Sequence, residues 1–318
     1  MHRTAFQRLA LGAGHAGHIG AGDGCAAGAG AVLRRAGRAL ADALHDALLH
    51  SPGGLLQRIT VVGQTVGIPH PHPGQLHQTA HFGVRKLLPE REARDVPADH
   101  RLLCGPAGVE GTDGILSRLG VDHLDSLLLH RPDPLMEPEE VAEAFNQLQQ
   151  SGKVRNFGVS NHKSSQIRLL QKYISQPLVT DQLQFSLPNS SMIQSGMEVN
   201  MTTAGAIDRD DSILDFCRLN DITIQTWSPF QYGFFEGVFI GSDKYPELNH
   251  CLEEIADKYH TTPTTIAAAW ILRHPAHMQL IAGTTKPSRF REICAACDIT
   301  LTREEWYRLY LAAGHILP

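Results

Sequence analysis

The sequence predicts an α/β fold built from parallel strand–helix units, and two observations lead to this class. Downstream of residue 123, short apolar runs alternate with segments whose apolar residues recur at helical spacing. A strand followed each time by a helix is typical of a parallel sheet. Five such units occupy the stretch from residue 124 to the C-terminus. A (β/α)8 barrel uses roughly 31 residues per unit, so the 318-residue chain has the length of a complete barrel.

The predicted elements follow one another in a regular order. In the first predicted helix, Val141, Ala144, Phe145 and Leu148 fall on one face, so we expect this face to be buried. Strands are expected at 124–129, 154–161, 179–186, 222–229 and 278–285. Helices are expected at 138–150, 163–174, 208–221, 246–260, 262–274, 287–297 and 302–313.

Residues 1–112 differ in composition from residues 113–318, so we expect two regions. Of the 20 aromatic residues only Phe6 and Phe82 precede residue 123, where 11 arginines accompany a single lysine. Side chains that fill a core are scarce there, since each aromatic buries roughly 150–250 Å². We expect this Ala/Gly/His/Arg-rich segment to stand in place of the first three βα units of a barrel whose remainder is residues 113–318. Within it only two stretches resemble regular structure, a strand at 56–68 and a helix at Ala31–His50.

Composition and charge exclude several classes of protein. The formal net charge of −5 gives no basic surface for nucleic acid. No apolar run approaches the roughly 18–20 residues that span a bilayer, and the basic N-terminus lacks the apolar core of a signal peptide. Six cysteines are few for this length, which favours a reducing compartment. We therefore expect a cytoplasmic protein without nucleic-acid or membrane partners.

Three long stretches resemble a known family. They are GVDHLDSLLLHRPDPLMEPEEVAEAFNQLQQSGKVRNFGVSN from residue 120, QTWSPFQYGFFEG from residue 225 and IAGTTKPSRFREI from residue 281. Over about residues 113–318 the chain resembles the aldo-keto reductase family, in particular its bacterial branch. The resemblance implies a (β/α)8 TIM barrel without a Rossmann domain. It also implies NADPH as cofactor, bound at the C-terminal rim of the barrel, and reduction of a small aldehyde or ketone substrate to the alcohol.

The resemblance assigns roles to residues near the ends of four strands. His130 matches the histidine that orients and polarises the substrate carbonyl. Ser160, Asn161 and Gln182 match residues that hold the nicotinamide carboxamide. Trp227 matches the aromatic residue on which the nicotinamide stacks. These positions agree with the general rule that the active sites of barrels lie where the strands end.

Two further segments match residues that bind the rest of the cofactor. Independently of the resemblance, Pro287 begins a predicted helix whose free N–H groups favour an anion, and Arg289 can donate two hydrogen bonds to phosphate oxygens. The loop expected to cross the pyrophosphate begins with Ser228, Pro229 and Phe230. Residues expected to bind the adenosine 2′-phosphate and the adenine are Gly283, Thr284, Thr285, Arg289 and Glu292.

The residues that deliver the proton in this family have no counterpart in the chain. The family carries D-x-x-x-x-Y after its second strand and a lysine at the end of its third. Here the first tyrosine is Tyr173, in a predicted helix much further along, and Lys86 is the only lysine before residue 123. We therefore assign no catalytic tyrosine, lysine or aspartate.

Three interpretations of the whole chain stay open. It is an NADPH-dependent carbonyl reductase with a substitute acid, a non-catalytic NADP-binding or scaffold relative, or a reductase translated out of frame up to about residue 112. A change of frame keeps the length and alters every residue choice, which agrees with the break in composition. We favour this third history, and we expect impaired activity. The substrate stays undefined, because in this family the loops after the first strands shape its pocket.

Three short motifs have weaker functional interpretations. A G-x-G-x-x-G motif at Gly12, Gly14 and Gly17 follows no convincing strand, so we expect no dinucleotide-binding role for it. Cys294 and Cys297 lie in a predicted helix, where buried structural cysteines are favoured over a zinc or redox motif. No carboxylate or cysteine completes a metal site in the histidine-rich stretch, so solvated loop histidines are favoured there. That stretch contains His70, His72, His77 and His81.

Overall fold

The computed structural model describes most of the chain after residue 105 and two short strands before it. The described residues are 59–60, 79–82, 106–119, 121–233, 236–284 and 286–318. Their seven strands are β1 (Ile59–Thr60), β2 (Thr79–Phe82), β3 (Leu124–Leu129), β4 (Val154–Ser160), β5 (Leu178–Gln184), β6 (Thr223–Trp227) and β7 (Gln279–Ile281). They form one sheet in the order β1-β7-β6-β5-β4-β3-β2, and every neighbouring pair is parallel.

Strands β3 to β7 confirm the five strands that the sequence predicts, although β7 is shorter than the expected 278–285. β1 lies inside the strand-like stretch at 56–68. All six residues of β3 are buried, as expected for a parallel strand that is covered on both faces. A parallel sheet whose strands alternate with helices is a TIM-barrel-like α/β fold, which confirms the predicted class.

β2 corrects one expectation. The sequence favours a solvated loop for His81, but His81 lies in β2 and pairs in register with Leu128 of β3. The sequence around His81 has no alternating apolar pattern, and strand formation depends strongly on the neighbouring strand. Pairing with the apolar β3 therefore defines this strand. Other expectations concern positions outside the described residues, namely Gly12, Gly14, Gly17, Ala31–His50, His70, His72 and His77.

Nine α-helices lie in the described part of the chain. They are α1 (Pro106–Leu119), α2 (Pro138–Gln150), α3 (Ser164–Gln171), α4 (Ser191–Met197), α5 (Ile213–Leu219), α6 (Pro246–Lys258), α7 (Pro263–Leu272), α8 (Pro287–Ala295) and α9 (Arg303–Ala312). The sequence does not predict α4, which has only two turns and no clear periodicity. α1 runs across the expected boundary at residue 112, and its Leu116 belongs to the hydrophobic core.

α2 shows how the amphipathic pattern leads to packing. Its buried face includes Val141, Ala144, Phe145 and Leu148, the four residues that the helical spacing predicts. The ring of Phe145 stacks on that of Phe157 in β4, with 4.0 Å between ring centroids. Burying a side chain of this size stabilises the fold by roughly 1.5–3 kcal/mol. The predicted apolar face of α2 therefore covers the outer side of the sheet.

α5 begins later than the sequence predicts. The expected helix covers 208–221, but α5 starts at Ile213 because the preceding segment forms a turn. The Asp208 carboxylate accepts hydrogen bonds from the backbone N–H of Ser212 (3.2 Å) and from its hydroxyl (2.9 Å). Ser212 and Asp211 have positive φ values of 54° and 61°. Side chain to backbone bonds of this kind compete with helix formation, which explains the displaced start.

The C-terminal helices are joined by a pair of tryptophans. The indole N–H of Trp270 in α7 donates to the carbonyl of Trp306 in α9 (3.1 Å), and the indole N–H of Trp306 donates to the carbonyl of Trp270 (3.0 Å). Their rings stack with centroids 4.8 Å apart. Cys294 lies in the last turn of α8 and Cys297 just after the helix, both half-buried, and burial raises the pKa of Cys294 to about 12. No helix among the described residues is long and apolar enough to cross a bilayer.

Candidate functional site

The candidate site lies at the C-terminal edge of the parallel sheet. His130 directly follows β3, Ser160 ends β4, and Trp227 ends β6. Gln182 lies in β5 and pairs in register with Ser160. Because Leu129 pairs with Val159, His130 follows its strand at the level of Ser160. Parallel strands end at the same edge of a sheet, so residues that are distant in sequence meet here.

Asn161 connects three of these strand ends. Its side-chain amide donates to the Ser160 hydroxyl (2.8 Å) and to the His130 carbonyl (3.4 Å). Its side-chain oxygen accepts the indole N–H of Trp227 (3.0 Å). The backbone of Asn161 is left-handed, with φ 59°, and its N–H donates to the Gln182 carbonyl (3.0 Å). Asparagine tolerates this conformation better than most residues, and an amide oxygen has a second lone pair for a ligand.

A row of glutamines crosses the sheet beside this network. Gln182, Gln225 and Gln279 are level with one another in β5, β6 and β7. The Gln182 amide donates to the Gln225 side-chain oxygen (3.0 Å), and the Gln225 amide donates to that of Gln279 (2.9 Å). We call these three residues the glutamine row. Sequence analysis missed Gln225 and Gln279, because the sequence does not show that the two glutamines lie beside Gln182 until the register of the strands is known.

The loop after β6 is held over the end of β5. Ser228 begins it with a positive φ of 50°, and Pro229 and Phe230 are buried. The loop then doubles back, since the Phe239 N–H donates to the Phe230 carbonyl (3.1 Å). The Ser186 hydroxyl donates to the carbonyl of Gln231 in the same loop (2.6 Å). These bonds fix the first part of the loop above the strand end that carries Gln182.

The segment between β7 and α8 lies beside this loop, because β7 pairs with β6. Gly283 is exposed and has φ 57°, while the buried Thr284 accepts the Lys286 N–H at its hydroxyl (3.2 Å). Lys286, the N-cap of α8, provides no side-chain cap, and the first turn of α8 contains no acidic residue. Arg289 is exposed one turn into the helix. This helix start therefore combines free N–H groups with cationic side chains.

Two other predicted residues complete the description of this segment. Glu292 is half-buried in α8, and its backbone carbonyl accepts the Thr265 hydroxyl of α7 (2.9 Å). That bond fixes α8 against α7 and leaves the role of the Glu292 carboxylate as a prediction. Thr285 lies outside the described residues.

A second buried polar group, which sequence analysis missed, lies on the opposite face of β5. Asp181 is fully buried, and among the described residues its carboxylate oxygens accept no hydrogen bond. Burial raises the pKa of Asp181 to about 8, with nearby backbone N–H groups of His162 and Asn161 opposing the shift. Burial also lowers the pKa of His162 to about 4, although its Nδ1 is bonded to the Ser160 carbonyl (2.9 Å). Two buried titratable side chains, those of Asp181 and His162, thus lie next to the turn that carries Asn161.

The structure brings most of the predicted residues to one edge. Ser160, Asn161, Trp227 and the backbone of His130 form one hydrogen-bonded network, and the Gln182 carbonyl accepts from both Ser160 and Asn161. The loop after β6 and the β7–α8 segment follow the next two strands at the same edge. No group of three or more metal-ligating side chains occurs among the residues that the structure describes. The site is therefore a polar edge of the sheet, with a helix start beside it that has no acidic residue in its first turn.

The parallel sheet with polar residues at its strand ends defines the protein as a TIM-barrel-like α/β protein. Comparison with known proteins identifies its family. The family model for the aldo/keto reductase family matches residues 109–311. The chain belongs to the aldo/keto reductase family. The match begins at Val109 within α1, so it leaves out residues 1–108.

Two curated relatives and one solved structure illustrate this membership. The oxidoreductase YcsN of Bacillus subtilis is 35% identical over 207 residues, 64% of this chain and 62% of the relative. A 6-dehydroglucose reductase of Agrobacterium fabrum is 33% identical over 199 residues, 62% of this chain and 60% of the relative. The chain thus covers less than two thirds of these relatives. The solved structure of an aldo-keto reductase complexed with NADPH shares the fold, with a TM-score of 0.55 at 20% identity over 75% of this chain and 64% of that one.

Proposed function

We propose that the chain is an oxidoreductase for the NADPH-dependent reduction of a small aldehyde or ketone to the alcohol. The observation that carries this proposal is the network that Asn161 forms with Ser160, His130 and Trp227 at the strand ends. It concentrates amide, hydroxyl and indole groups at the edge of the sheet where barrel enzymes bind their ligands. Membership of the aldo/keto reductase family supports the same reaction class.

The residues at this edge fit a nicotinamide dinucleotide. Asn161 and Gln182 offer amide groups of the kind that pair with a carboxamide, and Ser160 fixes the backbone of Gln182 through its hydroxyl (2.8 Å). We assign Trp227 as the stacking surface for the nicotinamide ring. The loop that begins at Ser228, Pro229 and Phe230 is assigned to the pyrophosphate.

We assign the adenosine end of the cofactor to the start of α8. Its uncapped N–H groups, Lys286 and Arg289 fit a phosphate group, and the first turn has no acidic residue that would repel it. Gly283, Thr284 and Thr285 are assigned to the same 2′-phosphate, and Glu292 to the adenine. The preference for NADPH over NADH follows from this cationic helix start.

We assign His130 to orient and polarise the substrate carbonyl. When bound, NADPH supplies the hydride for the carbonyl carbon. A general acid must then protonate the carbonyl oxygen, and the sequence has no tyrosine before Tyr173. Tyr173 follows α3, the helix that returns the chain from the end of β4 to the start of β5, so it belongs to the edge opposite the candidate site. We therefore infer that carbonyl reduction by this chain is impaired.

The missing tyrosine also favours a second candidate function. A relative that keeps the cofactor-binding edge without the proton donor can serve as a non-catalytic NADP-binding or scaffold protein. The two candidates differ in one measurable property, because both bind NADPH and only the reductase turns it over. We further infer a cytoplasmic location from the few cysteines of the sequence.

We infer that residues 1–112 replace the first three βα units through a change of reading frame. The support is the compositional break at constant length, with 11 arginines and one lysine before residue 123 against 10 and six after it. Translation of the coding DNA in all frames upstream of codon 113 tests this. We expect another frame to encode a glycine-bearing first strand, D-x-x-x-x-Y and a strand-ending lysine. If no frame contains them, residues 1–112 are a genuine sequence.

The primary experiment measures NADPH binding to the purified chain by isothermal titration calorimetry. We expect saturable binding of one NADPH per chain, and weaker binding of NADH. A chain that binds neither cofactor would contradict the proposed function in both of its forms.

A further inference from the structure

Asp211 caps the first turn of α3 from a distant part of the chain. Its carboxylate oxygen Oδ2 accepts hydrogen bonds from the Ser164 hydroxyl and from the Ser165 backbone N–H (2.8 Å). The Ser165 N–H is one of the first N–H groups of a helix, which have no acceptor within the helix. The bond from Ser164 also lowers the pKa of Asp211, so its carboxylate is charged at neutral pH. Asp211 therefore anchors the start of α3 across 46 residues of sequence.

The turn that carries Asp211 is itself held in one shape. Asp208 accepts the N–H of Ser212 (3.2 Å) and that of Asp210 (3.1 Å), and Asp210 accepts the N–H of Ile213 (3.3 Å). Asp211 and Ser212 have left-handed backbones, with φ values of 61° and 54°. A left-handed backbone is costly for residues other than glycine and persists where surrounding bonds hold it. These bonds keep the turn in the conformation in which Asp211 reaches α3.

The turn that carries Asn161 is anchored at both of its ends. Asn161 also has a left-handed backbone, with φ 59°, and its N–H donates to the Gln182 carbonyl (3.0 Å). Three residues later the chain enters α3, where Asp211 holds Ser164 and Ser165. One anchor thus comes from β5 and the other from the segment before α5.

The side chain of Asn161 has one possible orientation in its network. The indole N–H of Trp227 can only donate, so it meets the side-chain oxygen of Asn161 (3.0 Å). The His130 carbonyl can only accept, so it meets the amide nitrogen (3.4 Å), which also donates to the Ser160 hydroxyl (2.8 Å). The strand ends therefore fix this amide as long as the backbone of the turn stays left-handed.

We propose that Asp211 is a positioning residue that keeps the turn at Asn161 left-handed and so holds the Asn161 amide in place for the nicotinamide carboxamide. This inference rests on the proposed function. Asp211 acts through Ser164 and Ser165 and is assigned no contact with the cofactor. Without its carboxylate the start of α3 loses an anchor, and the turn can relax to a conformation in which the amide leaves the strand ends. Only molecules with the turn in place then bind the nicotinamide.

The experiment compares Asp211→Gly with the unmodified chain by calorimetry. Glycine removes the carboxylate and adopts the left-handed backbone of residue 211 without strain. NADPH carries the nicotinamide, whereas adenosine 2′,5′-bisphosphate carries the 2′-phosphate without it. We expect Asp211→Gly to weaken NADPH binding by roughly three- to tenfold, which corresponds to the turn being in place in about a tenth to a third of the molecules. Binding of the bisphosphate should stay within error.

Three further variants make the result specific. Asp211→Asn keeps one side-chain oxygen for both bonds and should recover most of the NADPH affinity. Ser164→Ala removes one of the two bonds, should give a smaller loss of the same kind, and serves if Asp211→Gly does not fold. Asp221→Gly is the matched control, because Asp221 is an exposed aspartate with φ 55° just after α5. It should leave both affinities unchanged.

A double-mutant cycle separates positioning from a general effect on the fold. Asn161→Gly removes the amide and still permits the left-handed backbone, so it should weaken NADPH binding by itself. Adding Asp211→Gly to this variant should cause no further loss of NADPH affinity, because the amide through which Asp211 acts is already absent. A purely structural role of Asp211 would give the same loss in both backgrounds.

Each outcome decides between the inference and the function beneath it. An equal loss for both ligands in Asp211→Gly, no loss for either, or an unchanged loss in the Asn161→Gly background overturns the positioning role while the cofactor site stands. If the unmodified chain binds neither NADPH nor the bisphosphate, the proposed function fails and this inference fails with it.

Discussion

Asp181 and Gln182 are neighbours on β5, and both are buried, but their side chains meet opposite conditions. Gln182 lies on the inner face, where Gln225 accepts its amide N–H at 3.0 Å. Asp181 lies on the outer face near α5, and no described residue donates a hydrogen bond to its carboxylate. The comparison shows that a buried polar side chain is stable where neighbouring strands offer partners in register. Where helices cover the sheet, the cost of burial appears as a shifted pKa.

The largest expected effect is on catalytic rate, because the sequence has no tyrosine before Tyr173 to serve as the proton donor. We expect this chain to reduce a reactive aldehyde at a rate roughly 10² to 10⁴-fold below that of a frame-restored version, since that is the usual contribution of a positioned general acid. NADPH oxidation is followed spectrophotometrically for both proteins. Comparable turnover would contradict the prediction, and loss of that turnover in His130→Ala would then identify His130 as the acid.

The next effect is the pH dependence of stability that comes from Asp181 on the outer face of β5. Between about pH 4 and 8 the folded chain keeps the Asp181 proton that the unfolded chain releases, because burial raises its pKa to about 8. The free energy of unfolding should therefore fall as the pH rises, by about 1.4 kcal/mol per pH unit from this group. Asp181→Asn, which cannot ionise, should be more stable than the unmodified chain at pH 8, and the difference should shrink toward pH 4.

Urea unfolding at a series of pH values measures this difference. Asp211→Asn is a suitable control, since Asp211 is exposed near the same helix and its pKa is lowered by the hydrogen bond from Ser164. It should not become more stable at pH 8. If the free energies of unfolding of Asp181→Asn and of the unmodified chain change in parallel with pH, the pKa of Asp181 is the same in the folded and unfolded chain, and the prediction is wrong.

Arg289 tests the cationic end of the site. Arg289→Ala should weaken NADPH binding by about 1.5–3 kcal/mol, the worth of a hydrogen bond to a charged group, and should hardly affect NADH. Calorimetric titration of both cofactors separates the two cases. Arg291→Ala is the control, because Arg291 is equally exposed in α8 but lies beyond its first turn. Equal losses for both cofactors would argue against a contact with the 2′-phosphate.

The smallest effect comes from His162, behind the turn that carries Asn161. Between about pH 6.5 and 4 the unfolded chain binds a proton that the folded chain excludes, since burial lowers the His162 pKa to about 4. Stability should therefore fall as the pH falls, by about 1.4 kcal/mol at pH 5.5. His162→Gln keeps a donor for the Ser160 carbonyl, and in a thermal unfolding series it should lose this decrease in stability at acidic pH. If the variant shows the same decrease, the decrease comes from other histidines, such as His274.

The elements that could be predicted from sequence are those whose pattern matches a single local geometry. α2 is one, because four apolar residues at helical spacing cover its buried face. β2 and α5 are the opposite case. The strand around His81 depends on pairing with β3, and the start of α5 is displaced by the bonds between Asp208 and Ser212.

The candidate site divides in the same way. His130, Ser160, Asn161 and Trp227 could be selected from the sequence, because they follow or end recognisable strands and match long family motifs. Gln225 and Gln279 could not, since a glutamine within a strand has no meaning until the register shows what lies beside it. Asp181 gave no signal either, because one acidic residue in a short strand is as easily exposed as buried.

The sequence by itself determined the order of strands and helices, the family resemblance and the absence of an early tyrosine. All three depend on residues that are close together in the chain or on simple counts. Only the tertiary structure decided which strands pair in register, that Gln182 has an amide partner and Asp181 has none among the described residues, and that the turn at Asn161 joins three strand ends. Hydrogen bonds between strands and burial under helices join residues tens of positions apart, and no local pattern encodes them.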